Sequence, residues 1–288
     1  MILPIGTTDG GGEIQNEGVE FGIDAYILQG EFSWNAALNL SSNRNEVIEI
    51  AGGSDVVTVG QTSGLPGYNI ARVGEPLGSF YGYLEDGLDD NGQIKFVDIN
   101  QDGEITPLDR VILGSPYPKL EFGFNTDFSY KNFSLNVFLQ GVQGNDIFFA
   151  TAFTNLNSFQ RTQNQFADLI GNYWTEDNPD PNAKYPKISA LTQMRPSDRF
   201  IFDGSYLKLK SVQLSYDFPV GNISWFTNAT VYVKATNLYT FTSYPGLDPD
   251  VNTRGSDSQS IENRLFIGTD ETGYPAPRIF GAGINLTF

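Results

Sequence analysis

The chain contains no cysteine and no histidine among its 288 residues, and it has only two methionines. The absence of cysteine excludes a disulfide scaffold, a zinc–thiolate site and a cysteine nucleophile. The absence of histidine excludes a Ser-His-Asp triad and a histidine-ligated metal. Because no recognisable catalytic spacing remains, we expect a protein that is not an enzyme.

Basic residues are also scarce, with 17 Lys and Arg against 34 Asp and Glu and a formal net charge of −17. Nucleic acids bind to basic surfaces, so we expect no nucleic-acid partner. Hard cations and neutral or polar molecules are the natural ligands of a chain with this charge. The sequence also lacks any run of about 18 apolar residues, which is the length that a membrane-spanning helix needs.

The sequence instead shows long stretches of alternation. Between residues 120 and 142, apolar side chains occupy nearly every second position, and mostly small or polar side chains stand between them. Side chains at alternate positions of a strand point to opposite faces of the sheet. Two such runs, joined at Lys131-Asn132, predict a hairpin with one apolar and one polar face.

The same alternation recurs in five further segments, and none of their apolar faces carries a charge. Lysine or arginine at the bilayer midplane of a barrel costs about 2 to 4 kcal/mol, so charges are expected to be absent from a lipid-facing surface. Runs of about 9 to 11 residues suit a tilted crossing of a bilayer, whereas strands of soluble proteins are nearer five or six. The further segments are 19–27, 32–40, 211–218, 229–236 and 280–288.

The predicted fold class is therefore all-β, an antiparallel transmembrane β-barrel in a Gram-negative outer membrane. About seven strands is fewer than the eight of the smallest common closed barrel, so we expect a part of a larger barrel. The start of the chain has no signal-peptide pattern, which also favours a C-terminal fragment. Short connections are expected on the periplasmic side and long ones on the extracellular side. The long connections are about 42–118, 143–204 and 241–276.

Residues 98–109 have the pattern of an EF-hand calcium loop, with oxygen-bearing side chains at loop positions 1, 3, 5 and 12 and glycine at position 6. We expect a structural Ca²⁺ here, although position 12 is Asp rather than Glu. The alternative is that the acidic and amide side chains form Asx-turns and bind no cation. The predicted ligands are Asp98, Asn100, Asp102, Asp109 and the backbone carbonyl of Glu104.

Aromatic side chains flank this loop and a later acidic stretch. Tyr81, Tyr83, Tyr173 and Trp174 are candidates for contact with a ligand or a partner protein. Aromatic rings stack on sugars and contact proteins, but they also pack loops against each other, so these alternatives stay open.

Several motifs together resemble one protein family. They are Gly-Glu-Pro-Leu-Gly-Ser-Phe-Tyr-Gly-Tyr at 74–83, the calcium-like stretch at 92–106, Asp-Arg-Val-Ile-Leu-Gly at 109–114 and Tyr-Leu-Lys-Leu-Lys at 206–210. With these motifs the chain resembles, nearly end to end, the C-terminal region of SusC/RagA-type TonB-dependent outer-membrane transporters of Bacteroidetes.

The resemblance implies a barrel of about 22 strands with an internal plug. It also implies import of oligosaccharides or peptides, driven through a TonB complex that the missing N-terminal part would contact, and a SusD-like surface lipoprotein as partner. The chain contains no plug, so it is not expected to transport alone. Phe288 resembles the terminal signal that the barrel assembly machinery recognises, and it is equally suited to lie against outer-membrane lipid.

A second hypothesis is a calcium-dependent glycan-binding module, β-rich and attached to the cell surface. The two hypotheses differ in what the apolar strand faces contact: lipid in a barrel, and a protein core in a soluble module.

Overall fold

The computed structural model describes residues 2–3, 12–50, 56–59, 67–156, 165–188, 194–219, 227–251, 267–271 and 273–288. These residues form mostly antiparallel β-structure with one short α-helix. No helix in the described part of the chain is long and apolar enough to cross a membrane.

The elements are numbered in chain order. The strands of the first half are β1 (Ile2–Leu3), β2 (Gly12–Leu28), β3 (Phe32–Glu49), β4 (Val56–Val59), β5 (Asn69–Arg72), β6 (Ser79–Gly82), β7 (Glu85–Leu88), β8 (Ile94–Phe96), β9 (Val111–Gly114), β10 (Leu120–Tyr130) and β11 (Phe133–Gln143). The remaining elements are β12 (Asp146–Phe148), α1 (Ala150–Leu156), β13 (Ile201–Asp203), β14 (Tyr206–Phe218), β15 (Asn228–Thr242) and β16 (Ile279–Thr287). Three-residue 3₁₀ helices comprise Pro107–Asp109, Ala167–Leu169 and Asp198–Phe200.

Within the described residues, one large sheet has eight strands in the order β1-β2-β3-β10-β11-β14-β15-β16. Every neighbouring pair is antiparallel. All seven long strands that the alternation predicted are present, and β1 adds a short eighth. The predicted all-β, antiparallel architecture is confirmed.

The pairing register places apolar residues beside apolar residues across the sheet. Phe124 lies opposite Leu38 on one side and Leu139 on the other. Much of this face is exposed: Val233 is 55 % and Ile284 67 % accessible. The sheet therefore presents an uncovered apolar face, whereas the corresponding face of a soluble sandwich is covered by a second sheet.

Thr126 is the polar exception on the apolar face. It is buried, and its Oγ1 accepts a hydrogen bond of 2.8 Å from Trp34 Nε1. Its hydroxyl donates a hydrogen bond of 3.3 Å to the backbone carbonyl of Asn35. A polar group in a bilayer must be satisfied within the protein, because lipid tails offer no hydrogen bonds. The Trp34–Thr126 pair meets that requirement.

Four strands, β2, β3, β14 and β15, are clearly longer than the alternation predicted, and β3 also changes the predicted bounds of a connection. β2 begins at Gly12 rather than residue 19, and β3 continues to Glu49, which corrects the expectation of a loop from residue 42. The extra residues of β2 and β3 pair with each other, as in Asn16 opposite Asn45. Both faces of this extension are largely polar, so it carries no alternation for the sequence to reveal.

The long connections fold into a separate layer with smaller sheets of β4-β5-β6-β9, β7-β8 and β12-β13. A buried apolar cluster joins all three long connections, so the calcium-like connection shares a core with the other two. Its fully buried members include Phe80, Phe148 and Phe200. The whole cluster comprises Tyr68, Phe80, Ile147, Phe148, Phe149, Ala150, Ala152, Phe153, Leu156, Leu169, Met194, Phe200 and Tyr244.

A second, smaller cluster attaches this layer to the large sheet. It comprises Ile14, Val47, Ile50, Ala71 and Leu77. Beside it, the backbone N–H of Leu77 donates a 2.8 Å hydrogen bond to the side-chain oxygen of Asn45. The extended ends of β2 and β3 thus support the connections.

Candidate functional site

The inner, polar face of the large sheet carries a network of amide and carboxylate groups. Asn136 Nδ2 donates to Asn125 Oδ1 at 3.0 Å and to Asp127 Oδ1 at 2.8 Å. Asn125 Nδ2 completes the network with a 2.8 Å bond to Asp127 Oδ2. A polar, hydrogen-bonded face opposite an apolar one is the pattern of a barrel wall between water and lipid.

In the calcium-like loop, side-chain oxygens accept hydrogen bonds from backbone N–H groups of the same loop. Asp98 accepts from the N–H of Asp102 at 3.3 Å and of Gly103 at 2.8 Å. Asn100 Oδ1 accepts from Asp102 N–H at 3.0 Å, and Asp102 Oδ1 accepts from Glu104 N–H at 2.9 Å. The bonds accepted by Asn100 and Asp102, each from the N–H two residues on, are the Asx-turns of the alternative interpretation. The Asp98 bonds reach four and five residues on and are not Asx-turns.

Asp109, at loop position 12, is fully buried and closes the loop. Its carboxylate accepts from the N–H groups of Thr106 at 2.7 Å, Ile99 at 2.9 Å and Asn100 at 3.4 Å. The Thr106 bond is the largest cause that lowers the pKa of Asp109, and burial acts in the opposite direction but is outweighed. Thr106 and Asp109 also form a reciprocal capping box on the helix Pro107–Asp109.

The described residues contain no group of three or more His, Cys, Asp and Glu side chains positioned to hold a metal ion. The donor set itself, carboxylate and amide oxygens with a backbone carbonyl, is of the type that Ca²⁺ takes. In the observed conformation the side-chain oxygens of this set accept hydrogen bonds from N–H groups of the loop itself. Cation binding would therefore require Asp98 and Asp102 to turn toward a common centre.

The four candidate aromatic residues differ in how far they are buried. Tyr83 and Trp174 are only 8 % and 5 % exposed, which argues against direct ligand contact by these two rings. Tyr81 is half-buried and stacks under the guanidinium of Arg110 at 4.4 Å. Tyr173 is half-buried and bridges to Tyr185. Trp174 lies so close to Gly92 that any side chain there would clash with its ring. Tyr81 and Tyr173 remain predicted contacts.

Phe288 directly follows β16 and is 82 % exposed. An exposed terminal aromatic residue is compatible with recognition by an assembly factor and with contact to lipid, so that prediction stands as it was.

Sequence reasoning missed a cavity of about 940 Å³ between the large sheet and the overlying connections. Its wall includes Lys119, Asp146 and Asp203. The pKa of Asp146 is raised, mainly because the carboxyl group is buried and also because Asp203 lies nearby. The hydrogen bond from the Ser115 N–H acts in the opposite direction but is outweighed. No local motif marks these residues, because distant segments of the chain bring them together.

Comparison with known proteins decides the relationship. No protein-family model matches the chain. TonB-dependent receptor P3 of Formosa agariphila is 34 % identical over 96 % of the chain, and TonB-dependent receptor SusC of Bacteroides thetaiotaomicron is 27 % identical over 99 %. The solved structure of the RagAB peptide transporter superposes on 97 % of the chain with a TM-score of 0.79 and 25 % identity. The chain is homologous to part of the SusC/RagA-type TonB-dependent receptors.

The predicted family resemblance is thereby confirmed. The chain spans 29 % of the length of receptor P3, 28 % of SusC and 29 % of the matched RagAB chain. The relatives are named as receptors and as a transporter, which agrees with the expectation of a protein that is not an enzyme.

Proposed function

We propose that the chain is the C-terminal barrel portion of an outer-membrane TonB-dependent importer of oligosaccharides or peptides. Its large sheet would form barrel wall, and its connections would form extracellular loops facing a SusD-like lipoprotein. Homology over 96 % of the chain to a receptor about three times longer supports this role. The chain would need the plug and the TonB-contacting segment of the complete receptor to transport.

The observation that carries the proposal is the two-faced sheet. Its apolar face is exposed, has no charged side chain on the predicted runs and satisfies its one buried polar group internally. The opposite face is polar and hydrogen-bonded. This arrangement also disfavours the alternative, a soluble calcium-dependent module, because such an exposed apolar face would aggregate in water.

A pair of adjacent alanines tests which face meets lipid. Ala36 lies on the apolar face opposite Ala25 and Thr126, and Ala37 lies on the polar face opposite Asp24 and Asn125. Ala36→Lys is expected to destabilise the protein in a bilayer by about 2 to 4 kcal/mol. Ala37→Lys is expected to have little effect, since Asp24 can compensate its charge. Denaturant titration in lipid vesicles measures both, and equal losses would contradict the assigned faces.

The proposal as a whole is tested in the organism. Sequencing the DNA upstream of Met1 should find an in-frame signal sequence and plug, and the neighbouring gene should encode a SusD-like lipoprotein. Deleting the gene should then abolish growth on one class of polymer, and an inactive TonB should give the same loss. A complete reading frame starting at Met1, with no such neighbour, would contradict the transport role.

We also propose that the loop 98–109 binds a structural Ca²⁺ under extracellular conditions. Extracellular calcium modules bind with dissociation constants of about 10⁻⁴ to 10⁻³ M. Millimolar Ca²⁺ is expected to raise the Tm of the purified protein, because a ligand that binds only the folded state stabilises it. Asp102→Asn should abolish that increase, whereas Mg²⁺ should not reproduce it. An unchanged Tm would mean that the Asx-turns hold the loop alone.

A further inference from the structure

A second, smaller cavity of about 480 Å³ lies between the hairpin β7-β8 and the calcium-like loop. Its wall includes Asp86, Gln93, Lys95, Phe96, Ile105 and Arg195. Together with Ile94, the wall thus combines two cations, one carboxylate, one amide and three apolar side chains. We call this cavity the Arg195 pocket.

Arg195 is held in place by aromatic rings rather than by a carboxylate. Its guanidinium lies 5.0 Å from the ring centre of Tyr83 and 5.3 Å from that of Phe96. Its Nη1 donates one hydrogen bond of 3.3 Å to the carbonyl of Ile105. Among the described residues, no Asp or Glu lies within ion-pairing distance of Arg195.

The neighbouring Arg199 shows what a structural arginine looks like in the same region. It binds Glu85 with both Nε and Nη2, at distances down to 2.6 Å, and both side chains are largely buried. Arg195 has no such partner, although it is half-buried and lies against two aromatic rings. A guanidinium has five N–H donors in a planar fork that matches a carboxylate or sulfate group. Most of the donors of Arg195 are therefore available to a ligand.

The other groups of the pocket indicate what carries that anionic group. Asp86 pairs with Lys95 at 3.5 Å, and both are exposed, so the Asp86 carboxylate keeps acceptor capacity. The Asp86 carboxylate would repel a second anion but would accept hydrogen bonds from hydroxyl groups. The side-chain oxygen of Gln93 would also accept hydrogen bonds from hydroxyl groups. Phe96 and Ile105 supply an apolar wall. A ring that bears an oxyanion at one edge and hydroxyls at the other satisfies all of these groups.

We propose that the Arg195 pocket binds an acidic sugar residue of an oligosaccharide, through its carboxylate or sulfate group. This proposal names a substrate class for the proposed import function. It rests on that function only in assuming that the bound oligosaccharide is then imported. Binding itself can be measured without transport, so the two proposals fail separately.

The experiment is calorimetric titration of the full chain, purified in detergent, with four probes. Trigalacturonic acid tests a carboxylate, a sulfated κ-carrageenan oligosaccharide tests a sulfate ester, maltotriose is the neutral sugar, and triaspartate is the acidic peptide. We expect one of the acidic sugars to bind at least about tenfold more tightly than maltotriose and triaspartate, as one charged hydrogen-bonded contact allows. Which acidic sugar binds distinguishes carboxylate from sulfate.

Variants connect the binding to the guanidinium. Arg195→Gln should weaken binding of the preferred sugar by about tenfold or more, and Arg195→Lys, which keeps the charge but loses the fork, should give an intermediate loss. Arg72→Gln is the matched control, since Arg72 also stacks on an aromatic ring, Tyr81 at 4.8 Å, but does not line the pocket.

Thermal unfolding and the circular dichroism of each variant report whether it folds. Equal binding of the neutral sugar, tighter binding of triaspartate, or no binding of either acidic sugar by the folded protein would overturn the proposal. So would an unchanged affinity in a folded Arg195→Gln or Arg195→Lys variant.

Discussion

Phe148→Ala is expected to destabilise the layer of long connections by about 3 to 5 kcal/mol, the usual cost of removing a buried aromatic side chain from a core. Phe148 is fully buried and stacks on Tyr68 with ring centres 4.0 Å apart. Phe80 and Phe200 approach it at 6.1 Å each, from separate segments of the chain. One truncation therefore removes ring contacts that hold the first two long connections together.

The loss should be confined to this layer, because Phe148 does not belong to the large sheet. Limited proteolysis is expected to cleave the connections of the variant while the sheet remains folded in detergent. The control is Phe280→Ala, which truncates a side chain that is 72 % exposed on the apolar face of β16. If the two variants are cleaved alike, the connections do not depend on this core.

The sequence predicts the large sheet well because each strand separates two solvents. Where one face meets lipid and the other water, alternation must appear, and all seven such strands were found from it. The extension of β3 from residue 42 onward was missed because it is polar on both faces, as Asn43 and Arg44 show, and so has no alternation. Alternation therefore predicts the membrane-facing part of a strand, not its full hydrogen-bonded length.

The core of the connections was missed for a different reason. Ile147, Phe148 and Phe149 are consecutive and all buried, so they show neither the period of a strand nor that of a surface helix. Their partners, such as Phe80 and Phe200, are remote in the sequence. The same holds for Arg195, whose significance depends on Tyr83 and Phe96, roughly a hundred residues away.

Lys208→Met is expected to cost about 3 kcal/mol, because it removes the buried cation of a partly buried ion cluster. Lys208 is only 3 % exposed, and its Nζ lies 2.7 Å from Asp248 and 3.0 Å from Asp250. These contacts fix the segment before residue 251 to the first residues of β14. Methionine keeps most of the aliphatic packing of lysine, so the loss reports the uncompensated Asp248 carboxylate rather than a cavity.

Two controls separate charge from contact. Lys184→Met removes an exposed lysine from its pair with Asp168 and is expected to cost no more than about 1 kcal/mol, as surface ion pairs do. Adding Asp248→Asn to Lys208→Met should recover much of the loss, because the stranded charge is removed. Chemical denaturation of the three variants measures these differences. A double variant as unstable as Lys208→Met would contradict the electrostatic explanation.

The pH dependence gives the same cluster an independent signature. Burial raises the pKa of Asp248, but the hydrogen bond from Lys208 and the N–H of Asp250 lower it by more, so the net shift is downward. A carboxyl whose pKa is depressed on folding contributes stability that is fully present above its unfolded pKa of about 4 and is lost as the pH falls through the folded value. The wild-type protein should therefore lose stability more steeply below about pH 4 than the Lys208→Met variant does. Parallel stability curves for the two proteins in this range would show that Lys208 does not hold Asp248 in its ionised state, and the segment would then be fixed by packing alone.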